Sequence, residues 1–455
     1  MLRLDNDSQE QCSLWESVLP AELFQMNEEL TQVDKLLGDE CFLAPFQVKF
    51  ATKMGRPTTA VATYLRMMYL KCRYQLGYEV LVKEVKDSFA WRRFCHLSLD
   101  DTVPDSTTLI KLTHKYGEET VKALNEALVL KLKESKVVRG KKLRVDTTVV
   151  ESDIHYPTDT GLLNDGIRVI TRTVTRLKGL VPDIGRQFKK HTRKAKKLYL
   201  HLTKVMKSRT GRDVQALKKT RRQLVKVSEK VIADGQAVQA ELKLRQEKSS
   251  RADKLTRQLG EWLGAVEKVI GQTKEVIRGN RHLPRRLVSL FDTGARPIRK
   301  GKAHKDTEFG RKVLIGETDH GIISTYQVLA ENPADVTLLK DGVKGHRRLF
   351  RKRLKAVAGD RGLYSQANET WLKDSGVRQV SIPARGKISK ERRIYQRQSW
   401  FKRLQRFRAG AEAKISLLKR KFGLGRALMR GDSGTKMWIG QGIFTHNLWQ
   451  AARIA

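Results

Sequence analysis

The chain has 455 residues, enough for two or three domains with substantial hydrophobic cores. Its 91 lysines and arginines against 49 aspartates and glutamates give a formal charge of +42. A compact chain of this charge repels itself unless a negatively charged partner offsets it, and nucleic acid is the partner that such a charge favours.

Membrane and secretory segments are not evident in the sequence. We find no run of about 18 apolar residues and no charged-then-apolar leader, so we expect a soluble, intracellular protein. The cysteines lie far apart and form no paired Cys-x-x-Cys, which argues against structural zinc and against a disulfide framework. They are Cys12, Cys41, Cys72 and Cys95.

Residues 1–140 are predicted to form a helical N-terminal domain. Apolar residues recur at helical spacing from Val61 to Leu76 and from Leu109 to Leu132, and Asp105 supplies a helix-start signal before the second stretch. A basic face on these helices can either lie on DNA or be merely solvated, and the sequence does not decide between the two. Its residues include Arg92, Arg93, Lys111 and Lys115.

Residues 141–163 are predicted to begin a catalytic α/β domain. Asp146 lies in an apolar run rich in β-branched residues, which indicates a buried strand. A carboxylate buried without a partner costs several kcal/mol, so we expect this one to hold a cation. Glu151 and Asp153 are weaker candidates, because the alternation of a strand places them on the opposite face.

Residues 164–304 are predicted to form a basic helical insertion. The period of two stops here, and apolar residues recur at three and four instead, as in a long helical hairpin or small bundle. Its basic start suits contacts with DNA phosphates, although a solvated arm explains the charge as well. The cations proposed to bind DNA are Lys189, Lys190, Arg193, Lys194, Lys196 and Lys197.

Residues 305–455 are predicted to complete the α/β domain. Strand patterns surround a hairpin turn at 319–321, and a helix opens after Asn332-Pro333. A short strand then ends at Asp360, and Glu412 lies on a basic helix from about 396 to 421. The resulting plan is a mixed α/β sheet with acids at strand ends and on the closing helix.

Three acids that share metal ions can catalyse phosphodiester chemistry. Two Mg²⁺ ions can activate a nucleophile and neutralise a leaving oxygen, and carboxylates are the ligands that Mg²⁺ prefers. On the last helix, Arg408 and Lys419 fall on the same face as Glu412. Cations flanking the acid can hold a DNA backbone, although simple charge pairing on an exposed helix gives the same spacing.

The chain resembles the DDE transposases of bacterial insertion sequences. The resemblance lies in residues 143–163, in Gly359-Asp360-Arg361-Gly362-Leu363-Tyr364-Ser365, and in the set Arg408, Glu412 and Lys419, which is similar to a Tyr-Arg-Glu-Lys signature. The region from Pro20 to about Tyr116 also resembles the helical N-terminal domain of such enzymes. One position departs from the signature, because Gln405 stands where the group has tyrosine; Phe407 and Tyr395 are candidates to replace the contact that the tyrosine makes.

The resemblance implies an RNase H-like catalytic domain with Asp146, Asp360 and Glu412 as a metal-binding triad for two Mg²⁺ or Mn²⁺ ions. It implies cleavage of double-stranded DNA at the terminal inverted repeats and joining of the 3′ ends to target DNA. Because two ends must be held together, we expect a homodimer in the DNA complex, in the nucleoid of a bacterial cytoplasm. An RNase H-like nuclease without strand joining and a non-catalytic DNA-binding protein remain alternatives.

Overall fold

The computed structural model describes residues 3–4, 18–49, 57–207, 214–245, 249–280, 282–302, 305–351 and 354–454. The chain divides into two compact units. Unit 1 combines Met1–Asp153 with Arg311–Ala455, and unit 2 is Ile154–Gly310.

The N-terminal part of unit 1 is helical, as predicted. Its helices are α1 (Glu28–Leu37), α2 (Ala44–Gln47), α3 (Val61–Arg73), α4 (Tyr78–Asp87), α5 (Phe89–Phe94) and α6 (Ser106–Glu134). The predicted start at Asp105 is confirmed, because its carboxylate accepts hydrogen bonds from the backbone N–H groups of Thr107 and Thr108. The apolar faces of these helices pack into one core, to which α3 contributes Val61, Leu65, Met68 and Tyr69.

A mixed sheet forms the rest of the framework of unit 1. Its central strand β1 (Lys142–Ser152) pairs in parallel with β5 (Ala356–Gly359), which pairs in parallel with β6 (Gln379–Ser381). On the other side, β1 neighbours β3 (Lys305–Thr318), whose later part pairs antiparallel with β4 (Ile323–Val328). Strand β2 (Arg296–Lys302) lies in unit 2 and pairs antiparallel with the start of β3, within that unit. The short strand β7 (Arg426–Ala427) pairs with the far end of β1. The predicted hairpin at 319–321 is confirmed, with Gly321 at a φ of 79° in the turn.

Helices α11 to α15 complete unit 1: α11 (Asp335–Phe350), α12 (Gln366–Asp374), α13 (Lys390–Arg397), α14 (Ser399–Lys421) and α15 (Gly431–Ile454). Helix α14 packs against β1, β5 and β6. It therefore carries Glu412 over the strands that hold the other two acids.

Unit 2 contains the predicted helical insertion. Its helices are α7 (Asp159–Lys178), α8 (Thr192–Lys207), α9 (Val214–Leu244) and α10 (Ser250–Arg278). They pack as a small bundle around its own core, which includes Ile170, Val231 and Leu263. No helix in the described ranges is long and apolar enough to span a bilayer.

Candidate active site

Asp146 and Asp360 lie side by side on neighbouring parallel strands. The register pairs Val145 of β1 with Gly359 of β5, so each acid is the next residue along its strand. Asp360 continues the extended path of β5, with φ −81° and ψ 174°. Since neighbouring strands run about 4.8 Å apart, the sheet brings the two residues together where β5 ends.

Arg408 connects Asp146 to Glu412. The Arg408 Nη2 lies 3.4 Å from Asp146 Oδ2, and its Nη1 donates a hydrogen bond of 3.1 Å to Glu412 Oε1. The Asp146 side chain is only 14% exposed, whereas that of Glu412 is 72% exposed. Arg408 and Glu412 thus form the i to i+4 ion pair that their spacing along α14 predicts. The same guanidinium also contacts the mostly buried Asp146 on β1.

Asp360 caps a short 3₁₀ turn, Arg361–Leu363, and its Oδ1 accepts a hydrogen bond of 3.2 Å from the Leu363 N–H. Gly362 allows a second carboxylate to approach. A Cβ at Gly362 would lie 3.0 Å from Asp360 Oδ1 and 3.1 Å from Asp335 Oδ2. A side chain at this position would push against both acids.

Asp335 is a fourth acid at the site, and sequence patterns do not single it out as a metal ligand. It begins α11, accepts a hydrogen bond of 3.1 Å from the Thr147 hydroxyl, and pairs with Lys312 Nζ at 2.6 Å. Its signal was an acid directly after Asn332-Pro333-Ala334, which sequence patterns explain equally well as a helix start. Only the packing of α11 beside β1 brings it to the other acids.

Two family models match the chain. Residues 20–115 match "Transposase domain (DUF772)", and residues 266–448 match "Transposase DDE domain". The chain belongs to the insertion-sequence DDE transposases. Asp360 and Glu412 fall within the second match, whereas Asp146 lies outside both. No curated protein and no solved structure matches the chain.

A buried ion network anchors the Glu412 helix of the transposase. Glu317 on β3 is 3% exposed, and its Oε2 lies 2.7 Å from Arg144 Nη2 while its Oε1 lies 3.7 Å from Lys414 Nζ. Arg144 also donates to the Phe407 carbonyl oxygen at 2.6 Å. Arg144 on β1 contacts α14 at Phe407, and Glu317 on β3 pairs with Lys414 of the same helix, so this network holds α14 against the sheet on both sides of Glu412.

Burial dominates the ionisation of this network. It raises the pKa of Glu317 above its usual value, although Arg144 and Lys414 favour the charged form. It likewise lowers the pKa of Lys414, against the attraction of Glu317. His446, which lies 3.0 Å from Lys414 Nζ, has its pKa lowered to about 3 by burial and stays neutral.

Gln405 holds α14 against the strand ends at the position where the signature has tyrosine. Its Nε2 donates to the Ser381 carbonyl oxygen at 2.7 Å. Both aromatic candidates for the tyrosine contact make contacts within the protein. The Phe407 ring packs under the Arg144 guanidinium at 4.8 Å, and Tyr395 donates to the Val380 carbonyl oxygen.

The carboxylates of Asp146, Asp360 and Glu412 have the chemistry that a hard metal ion prefers, but the three side chains do not converge on one point. Across the described ranges, no group of three His, Cys, Asp or Glu side chains stands ready to hold a metal. Arg408 supplies the positive charge between Asp146 and Glu412. The all-oxygen donor set of Asp146, Asp360 and Glu412 is nevertheless the set that Mg²⁺ and Mn²⁺ prefer.

The predicted DNA-binding cations fall into different settings. In unit 2, all six are exposed around the start of α8: Lys189, Lys190, Arg193, Lys194, Lys196 and Lys197. In unit 1, Lys419 lines a cavity beside the end of α14. The expectation for Arg92 is wrong, because it is 8% exposed and donates to the carbonyl oxygens of Leu99 and Asp101, while Arg93, Lys111 and Lys115 are exposed.

Proposed function

We propose that this transposase binds the ends of an insertion sequence, cleaves them with Asp146, Asp360 and Glu412, and joins the 3′ ends to target DNA. The observation that carries the proposal is the juxtaposition of Asp146 and Asp360 on adjacent strands, with Glu412 tied to Asp146 through Arg408. A central strand flanked by an antiparallel pair on one side and parallel strands on the other supports an RNase H-like assignment for this domain.

Asp146, Asp360 and Glu412 are the residues that would hold two Mg²⁺ or Mn²⁺ ions. Such ions, when bound, supply an activated nucleophile and neutralise the leaving oxygen. Asp146 provides a carboxylate whose position is fixed by the strand and by the hydrogen bond from the Thr147 N–H. Exposed Glu412 can reorient on its helix, while the network around Glu317 keeps the helix itself in place.

Arg408 is assigned a role in binding the DNA substrate. Its two Nη groups reach both Asp146 and Glu412, so it neutralises the two acids and stands where a DNA phosphate would approach them. A guanidinium can hold a phosphate with two parallel hydrogen bonds. Arg408 is therefore the residue that we assign to orienting the scissile phosphodiester.

The partners follow from the same proposal. Double-stranded DNA at the terminal inverted repeats and at the target supplies the negative charge that a chain of +42 requires. A homodimer would bring two ends together in the nucleoid of a bacterial cytoplasm. The exposed cations at the start of α8 are assigned to the DNA backbone on charge and exposure.

Cleavage of a duplex carrying the DNA that flanks the reading frame tests the proposal. We expect Asp146→Asn, Asp360→Asn and Glu412→Gln each to abolish Mg²⁺-dependent cleavage while duplex binding persists. Glu79→Gln, an exposed residue of α4, is the matched control and should cleave normally. Full cleavage by all three variants would refute the site.

Strand joining separates the proposal from its main alternative. An RNase H-like nuclease would cut the same duplex but would leave the 3′ hydroxyl unjoined when target DNA is supplied. The transposase should give joined products whose amount depends on the same three acids. Binding with no metal-dependent cut by the wild type would instead favour the non-catalytic DNA-binding protein.

A further inference from the structure

A cationic cavity lies beside the C-terminal end of α14, away from the three acids. It measures about 220 Å³, which is room for a phosphate group and several waters at about 30 Å³ each. Its walls come from the end of α3, from the last turn of α14, from the loop 422–428 and from Trp438 on α15. Three cations line it, Lys71, Lys419 and Arg426. Of these, Arg426 also lies 3.8 Å from Glu151 Oε2 and 3.6 Å from Asp153 Oδ1.

Lys71 is the unusual member of this cavity. The residue is 3% exposed, and its ammonium lies 4.6 Å from the centre of the Tyr78 ring and 4.8 Å from that of Trp438. Within the described part of the chain, no carboxylate forms an ion pair with it. Aromatic faces attract a cation, but they do not satisfy three N–H donors as oxygen acceptors do. A buried ammonium in this setting calls for an anion.

Lys71 lines the cavity because the end of α3 packs there against the end of α14. Gln75, just after α3, donates from its amide to the Arg420 carbonyl oxygen at 2.6 Å. On the opposite wall, the Trp438 indole donates to the Gly423 carbonyl oxygen at 2.7 Å, which fixes the loop next to the ring. The N-terminal helices thus contribute a cation to a cavity whose other walls belong to the catalytic region.

We infer that this cavity binds one backbone phosphate of the DNA on which the active site acts. The inference rests on the proposed function and deepens it, because it assigns to the N-terminal helical region a direct contact with the substrate strand. Lys419 lies seven residues after Glu412 on α14, which is about 10 Å along the helix axis. The bound phosphate therefore lies on the DNA close to the phosphodiester that is cut, within a few nucleotides of it.

Salt-dependent binding tests this contact without requiring cleavage. The probe is the flanking-DNA duplex, titrated in Ca²⁺ or EDTA at several salt concentrations. Lys71→Met keeps most of the side-chain volume and removes the charge, and it should reduce the slope of log K against log salt by about 0.9, the value for one phosphate. Lys83→Met, an exposed lysine of α4, is the control and should leave the slope unchanged.

A neutral-phosphate scan locates the contact. Duplexes with a single methylphosphonate at each of the first six positions from the cut should weaken wild-type binding at one of these positions. The same substitution should have no effect on Lys71→Met. Arg426→Gln at the mouth of the cavity, where the side chain is 54% exposed, should lose sensitivity at the same position and serves if Lys71→Met fails to fold.

The outcomes separate this inference from the proposed function. If Lys71→Met and Arg426→Gln keep the wild-type slope and the wild-type methylphosphonate pattern, the cavity does not bind DNA, whatever the three acids do. Loss of inorganic phosphate binding with no change in DNA binding would also overturn it, in favour of a free-anion site. Conversely, a changed slope in a protein that never cuts DNA would support the cavity and refute the catalytic proposal.

Discussion

Glu317→Gln should destabilise unit 1 strongly while changing no acid of the active site. The substitution keeps the shape of the side chain but removes the only charge opposite Arg144 and Lys414 in the network described above. Those two cations are 11% and 12% exposed, so water cannot replace the lost carboxylate. Breaking one side of a buried ion pair in this way costs about 3–5 kcal/mol, a large part of the 5–15 kcal/mol that stabilises a typical domain.

The pH dependence of this loss identifies its cause. In the variant, the lowered pKa of Lys414 has lost its opposing attraction, so the ammonium releases its proton more readily. A lysine whose pKa is lower in the folded than in the unfolded state destabilises the fold most where both states are protonated, and this cost shrinks as pH rises from the folded pKa toward the unfolded pKa. The destabilisation should therefore be larger at pH 7 than at pH 9.

Urea unfolding followed by tryptophan fluorescence gives the free energy of unfolding of unit 1. Trp262 is the single tryptophan within the range of unit 2, so the other six of the chain report on unit 1. Glu79→Gln should lie within about 0.5 kcal/mol of the wild type. The reasoning fails if Glu317→Gln unfolds at the wild-type urea concentration, or if its loss of stability does not change between pH 7 and pH 9.

Three further predictions address other parts of the molecule. Reversing the charge of Lys189, Lys190, Arg193, Lys194, Lys196 and Lys197 to glutamate should weaken duplex binding and flatten its salt dependence; an unchanged affinity and slope would show that this surface does not contact DNA. Burial lowers the pKa of His346 to about 4 and of His446 to about 3, from an ordinary 6.5. Both stay neutral in the fold but protonate on unfolding, so stability falls as pH drops from 6.5 toward 4, by about 1.4 kcal/mol per pH unit for each histidine; urea midpoints that stay constant over this range would contradict their burial as neutral groups. Gly362→Ala should reduce cleavage more than duplex binding, because the new Cβ would press on Asp360 and Asp335; equal cleavage rates for variant and wild type would show that the spacing of these acids is not critical.

The helices, strands and helix caps that depend on local sequence patterns are predicted well. The β-branched run around Asp146, the cap at Asp105 and the helical periodicity of 214–278 each correspond to an element in the structure. Parallel pairing between β1 and β5 is not encoded by any local signal, yet it is what brings Asp146 beside Asp360.

Contacts that depend on packing between distant elements escaped prediction. Asp335 reads as an ordinary helix start until α11 lies against β1, and Lys71 reads as one more cation until Trp438 covers it. Its charge predicts that Arg92 lies on a basic surface, but the chain after α5 folds back and surrounds it with carbonyl oxygens. In each case the partner comes from a part of the chain whose position no periodicity reveals.

The central claim is that Asp146, Asp360 and Glu412 together hold a pair of divalent ions on DNA. Titration with Mn²⁺, followed by electron paramagnetic resonance on the protein bound to the flanking-DNA duplex, measures the claim directly. The account predicts two tightly bound ions per chain in the wild type and in Glu79→Gln, and fewer in Asp146→Asn, Asp360→Asn and Glu412→Gln. Two tightly bound ions in all three of those variants would contradict it.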